Sequence, residues 1–178
     1  MNPMQEVKIE KVTLNIGVGS TGDKLEKASR LLNIITKAKP VKTRTMKRIP
    51  TWGVRPKLEI ATKVTLRGEI AENVLKRLLA AANNTLTESK FDKFGNFSFG
   101  VPEYIDIPGV EYNAEIGIIG LEAAVTLKRP GFRIKHRRIA NTKVPLRHRV
   151  SREDAMLFIK NKFNVTIVPK ENKTKNDI

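Results

Sequence analysis

Residues 11–16 read Lys-Val-Thr-Leu-Asn-Ile (KVTLNI). Val12, Leu14 and Ile16 alternate with Lys11, Thr13 and Asn15. A period of two is the mark of a strand with one face buried and one face wet. A strand buried on both sides, as in a doubly wound parallel sheet, would instead be apolar throughout. The hexapeptide therefore predicts a sheet with helices on one side only. Residues 62–67 (TKVTLR) repeat the pattern, with Val64 and Leu66 inward and Lys63, Thr65 and Arg67 outward.

The chain continues from this strand into Gly17-Val-Gly19-Ser-Thr-Gly22, a literal G-x-G-x-x-G. In dinucleotide-binding folds such glycines let the backbone approach a pyrophosphate at a helix N-terminus. Those folds also need an acid about 20 residues later for the ribose. Residues 37–57 contain none. The alternating strand also argues against a parallel βαβ unit. The glycines are read as a tight strand-to-helix turn that uses positive φ, one that could still receive a nucleic-acid phosphate.

Further elements extend on either side. Leu25, Ala28, Leu31, Leu32 and Ile35 form one face of a helix over 24–36, which Pro40 stops. Residues 41–46 are extended. A second helix covers 69–83, with Ile70, Val74, Leu75, Leu78 and Leu79 as its stripe. Strands follow at 96–101 and 121–127. Ser151, with Asp154 three residues on, caps a third helix that buries Ala155, Phe158, Ile159 and Phe163. A short strand at 165–168 closes the fold. The class is α+β: a mostly antiparallel sheet, helices packed on one face, the other face open. Residues 1–168 form a single domain, with a basic protruding loop region at 37–60 and a basic extended segment at 128–150. Residues 169–178 are a polar tail.

The charge points to the partner. Among 178 residues, 34 Lys and Arg oppose 18 acids, for a net +16. Eight of these cations fall in 37–57 and nine in 128–149, half of the total, with no acid in either stretch. A polyanion is the expected ligand. Residues 88–122 reverse the trend, with seven acids, two lysines and six of the ten aromatic residues. They are read as core or as a protein-contact segment. The longest apolar run, Ile116–Leu121, cannot span a bilayer, so no membrane partner is expected. The N-terminus has no apolar secretory region. The chain has no cysteine, which suits the cytoplasm and excludes thiolate chemistry.

Nothing in the sequence calls for an enzyme. His136 and His148 both lie in the second basic run, without an acid or cysteine nearby. Asp92, Glu103, Asp106, Glu111 and Glu115 lack metal-ligand spacing. No nucleophile-elbow or phosphate-loop string occurs. No cofactor, metal or small-molecule substrate is expected. The enzyme rival, a dinucleotide-dependent reductase, would need an acid or arginine aimed at the ribose.

Placed side by side, the strands suggest a platform. Lys11, Thr13 and Asn15, then Lys42 and Arg44, then Lys63, Thr65 and Arg67 would present cations to phosphates, and amide or hydroxyl groups to sugars and base edges. Few aromatics accompany them, which disfavours base stacking along a single strand and favours folded RNA. Trp52 lies in the loop IPTWGVRP, flanked by Lys47, Arg48, Thr51, Arg55 and Lys57, as an arm for a second RNA. A chromatin-type duplex-binding protein is the alternative.

The strings NPMQEVKIEKVTLNIGVG, KPVKTRTMKR, KVTLRG and FDKFGNFSFGVPEYIDIPGVEYNAEIGIIGLEAAVTLKRPGFR resemble the L5 family of the large ribosomal subunit, in its archaeal form, over residues 2–168. The resemblance implies an RNA-binding sheet that holds 5S rRNA in the central protuberance. It also implies an intersubunit bridge to a head protein of the small subunit and a loop that reaches P-site tRNA. Asn15 and Thr65 match family positions that contact 5S rRNA. Ala38 stands where the family pattern has Gln, with Lys39 or Lys37 beside it as the replacement contact. The tRNA-facing loop corresponds to 47–59, and Lys57 and Ala61 replace its usual glycines. Arg133, Lys135, Arg137, Arg138, Arg147 and Arg149 are assigned to further rRNA contacts, 23S rRNA included.

Overall fold

The structure, a computed structural model, describes residues 2–169. Of the tail expected at 169–178, residues 170–178 lie outside the described residues.

The alternating hexapeptide is the middle of β1 (Lys8–Gly17). Val12 and Leu14 are wholly buried and Ile16 nearly so. The turn after β1 leads to α1 (Asp23–Thr36), which buries Leu25, Ala28, Leu31, Leu32 and Ile35 as its spacing requires. Gly19 and Gly22 adopt φ of +76° and +104°, conformations costly for any residue with a Cβ. Then come β2 (Val41–Arg44), β3 (Glu59–Leu66) and α2 (Gly68–Ala81). β4 (Thr85–Thr87), β5 (Phe97–Val101) and β6 (Leu121–Lys128) follow. α3 (Arg152–Phe163) and β7 (Thr166–Val168) complete the order.

Five strands form one sheet in the order β2-β3-β1-β6-β5, and every pairing is antiparallel. β1 therefore has no parallel neighbour, and the strand after α1 lies at the far edge. The geometry is that of a turn between strand and helix, not of a dinucleotide fold. α1 packs on β3 and α2 on β1. Between them lies a core that includes Leu14, Leu31, Leu32, Leu75, Leu78 and Tyr104. Buried side chains of this size each contribute about 1.5–3 kcal/mol by leaving water.

Three details differ from expectation. Ile70 is exposed, and Ala71 turns into the core instead: the first turn of α2 meets the sheet through a small side chain. β7 joins β4, a strand not foreseen, in a separate parallel pair. On α3, Ala155 and Ile159 are buried, while Phe158 and Phe163 are partly buried against the core. The cap of α3 is as expected. Ser151 Oγ accepts from the Asp154 N–H at 3.1 Å, and Asp154 Oδ2 accepts from the Ser151 N–H at 3.2 Å. The same carboxylate takes a 2.7 Å bond from Arg129 Nη2.

Candidate nucleic-acid interface

Directly opposed residues of an antiparallel pair share a face. Asn15 opposes Lys63, and Thr13 opposes Thr65. On the other side of β1, Lys11 opposes Thr126, Thr13 opposes Ala124 and Asn15 opposes Glu122. All point away from the helices, because their neighbours Val12, Leu14 and Val64 fill the core. One lattice thus holds two lysines, an amide and several hydroxyls. Glu122 adds one acid to it. Arg67, just past β3, is exposed as the N-cap residue of α2.

The edge strand corrects the expected platform. Val41 opposes Lys63 and Thr43 opposes Ala61, whereas Lys42 opposes Thr62, whose side chain is buried on the helix side. Val41 and Thr43 therefore stand beside Asn15 and Lys63, and Lys42 faces the other way. A register shift separates Thr43 from Arg44. Arg44 then pairs with Glu59 at 3.0 Å, and Lys42 Nζ lies 3.9 Å from the same carboxylate. Both cations are exposed at the rim of the sheet, half neutralised, and outside the lattice. Lys39 is exposed in the link between α1 and β2.

The loop between β2 and β3 has internal order. The Lys57 N–H donates to Thr45 O at 2.8 Å, and Ile49 and Val54 form a small bridge that buries Val54. A helical turn at Pro50–Trp52 lifts Trp52 to 73% exposure. Lys47, Arg48, Thr51, Arg55 and Lys57 are exposed around it. Lys57 has φ +67°, a left-handed conformation that glycine adopts without strain.

The segment 128–150 is irregular, with short turns at Phe132–Lys135 and Leu146–His148. Val144 and Val150 anchor it in the molecule. Arg133, Lys135, Arg137, Arg138 and Arg147 are exposed, whereas Arg149 is half-buried. Its Nε donates to Val144 O at 3.2 Å and its guanidinium lies 5.6 Å from the centre of the Phe94 ring. His148 Nε2 lies 2.8 Å from Pro130 O, and His136 Nε2 lies 3.8 Å from Glu10 Oε1. No cluster of three metal-ligating side chains occurs among the described residues.

Of the aromatic residues in 88–122, Phe91, Phe97, Phe99 and Tyr104 belong to the core, while Phe94 and Tyr112 are exposed. Besides Thr126 and Glu122 of β6, two further polar residues on the open side were not foreseen. Lys90 and Ser98 border a shallow cleft with Thr13, Asn15 and Glu122. Ser98 follows from the alternation of β5 once its neighbour is known, whereas Lys90 arrives by a turn that carries no periodic signal.

The sequence profile of ribosomal protein L5 matches residues 2–55, and the profile of the same ribosomal family's C-terminus matches residues 59–158. The chain belongs to the ribosomal protein L5 family. It is similar to the large ribosomal subunit protein uL5 of Sulfurisphaera tokodaii, with 50% identity over 94% of this chain and 96% of that protein. It is also similar to the protein of that name from Nanoarchaeum equitans, with 50% identity over 94% of this chain and 99% of the relative. A third, from Methanosphaera stadtmanae, is 47% identical over 94% and 99% respectively. As an L5-family chain it is a structural component of the ribosome and not an enzyme. The two matched segments share one sheet: β1 and β2 come from the first, β3, β5 and β6 from the second. No helix among the described residues is long and apolar enough to cross a membrane.

Proposed function

We propose that this protein is a cytoplasmic component of the large ribosomal subunit that binds 5S rRNA through the open face of its sheet. The reading rests on the lattice of Lys11, Thr13, Asn15, Lys63 and Thr65, which no helix covers. Lysines at this spacing meet phosphates, and the amide and hydroxyls meet 2′-hydroxyls and base edges. An open, aromatic-poor surface suits the wide minor groove of folded RNA. Arg44 and Lys42 act from the rim, and Arg67 and Lys39 extend the same cationic border. The bound RNA is thereby anchored in the central protuberance, with the exposed arginines of 133–147 meeting 23S rRNA.

The loop around Trp52 contacts P-site tRNA. Its cations surround an exposed indole, a combination suited to a sugar-phosphate backbone and an unpaired base. The segment 88–122, with Phe94 and Tyr112 outside the core, supplies the bridge to a head protein of the small subunit.

Filter binding tests the central statement. If about 6–8 phosphates are neutralised, log affinity for 5S rRNA falls with log salt at a slope of about −4 to −7. Folded 5S rRNA outcompetes duplex DNA of equal length. A slope near zero, or DNA winning the competition, overturns the reading; the latter outcome would favour a chromatin-type binder.

A further inference from the structure

A cleft of about 420 Å³ lies between the sheet and the basic segment, where the ends of β1 and β6 meet residues 132–150. Its size falls within the roughly 300–1,000 Å³ of ordinary ligand sites. The β1–β6 register slips between Ile9 and Lys11, which leaves Glu10 as an extra residue in the ladder. Such bulges re-aim a side chain, and the Glu10 side chain borders this cleft at 14% exposure. Among the described residues its carboxylate takes part in no hydrogen bond, and the basic side chain nearest to it, the His136 imidazole, stands 3.8 Å away. Asn96, on an adjoining wall, is already engaged: Nδ2 donates to Asp92 and Oδ1 accepts from Leu127 N–H. Glu10 thus keeps two acceptor oxygens for a ligand. The rings of Phe94 and Phe132 border the same space, and Lys135, Lys143 and Arg149 bring positive charge to it.

We propose that this cleft recognises a guanine nucleotide, with Glu10 as the discriminating residue. A carboxylate only accepts hydrogen bonds. Guanine is the base whose pairing edge offers two adjacent donors, N1–H and the N2 amino group, matched to two carboxylate oxygens. Adenine and cytosine each place a ring-nitrogen lone pair beside a single amino donor, and uracil flanks its one N–H with two carbonyls. The aromatic rings supply the stacking that unpaired bases seek on proteins, and the three cations suit the phosphate. The base comes from an unpaired guanosine of a bound RNA or from a free nucleotide. Only the first source rests on the RNA-binding reading above.

The test uses the full chain with GMP and AMP, titrated by ligand-observed NMR. GMP binds about tenfold more tightly than AMP, the discrimination expected of one bidentate contact. In Glu10→Gln, whose amide nitrogen can no longer accept, that preference falls below about twofold while the melting curve is unchanged. Equal affinity for the two nucleotides, binding of neither, or a preference that survives Glu10→Gln overturns the proposal. Photocrosslinking with 6-thioguanosine-substituted 5S rRNA then identifies the source. A crosslink to segment 94–149 that excess GMP suppresses assigns the site to an RNA guanosine. GMP binding without that crosslink assigns it to the free nucleotide. Failure of the 5S rRNA reading appears as absence of the complex in filter binding, which leaves the GMP and AMP comparison intact.

Discussion

Asn15 and Lys63 oppose one another across β1 and β3, and both point away from the helices. An amide that can read sugar and base edges therefore sits beside a cation that can hold phosphate, without either side chain contributing to the core. Function and stability are separable at this pair.

The separation gives the first prediction. Asn15→Ala combined with Thr65→Ala lowers affinity for 5S rRNA by about tenfold, from two hydrogen bonds each worth about 0.5–1.5 kcal/mol. The melting temperature moves by no more than about 2 °C, as for surface changes generally. Unaltered affinity would remove this face from the RNA interface.

Strand register gives the second. Lys63 lies on the lattice, whereas Lys42 is on the opposite face and shares Glu59 with Arg44. Lys63→Ala reduces the magnitude of the salt slope by about one, and Lys42→Ala, whose charge at the rim is shared with Glu59, reduces it by less. Equal effects from the two substitutions would mean that RNA wraps the sheet edge.

The cap of α3 allows a graded stability test. Ser151→Ala removes one capping bond and costs about 1 kcal/mol. Asp154→Ala removes the reciprocal bond and also the partner of Arg129, whose side chain is only 15% exposed; the cost rises to about 2–3 kcal/mol. Urea unfolding of both variants measures the difference. Identical midpoints would show that the Arg129 contact adds nothing.

Gly95 makes the basic segment sensitive to a single methyl group. A Cβ there would come within 2.6 Å of Val150 Cγ1, at φ +73°. Gly95→Ala is destabilised by about 1–2 kcal/mol from the backbone alone, and the overlap adds to that. Limited proteolysis reports the local effect: cleavage within 132–149 accelerates as Val150 is displaced. A variant as resistant as the parent would show that the anchor has room to adjust.

How far the sequence foretells the structure depends on how local each signal is. The alternation of Val12, Leu14 and Ile16, the stripe of α1 and the Ser151–Asp154 cap all lie within one element, and all are found as expected. The faces of Lys42 and Arg44 are a different matter. A four-residue edge strand acquires its face from its neighbour's register, and here a shift at Thr43 intervenes. Periodicity within the strand therefore assigns the wrong side. β4 is three residues long and obtains its strand character from β7, nearly eighty residues away. Glu10 looks like an ordinary polar residue at the start of a strand; only the slip against β6 turns it aside. For the glycine-rich string, the surrounding residues were decisive. The lack of an acid downstream and the polar half of β1 agree with a strand whose two neighbours both run against it.

β1 is the first strand of the chain and the middle strand of the sheet, flanked by β3 and β6. During translation it emerges well before either flank exists, and β6 follows more than a hundred residues later. Until both arrive, the nascent polypeptide carries a segment with one apolar face and two unsatisfied edges, a template for misassociation. A fragment cut at the seam between the two matched segments would inherit that hazard permanently, because β1 would be severed from both of its neighbours.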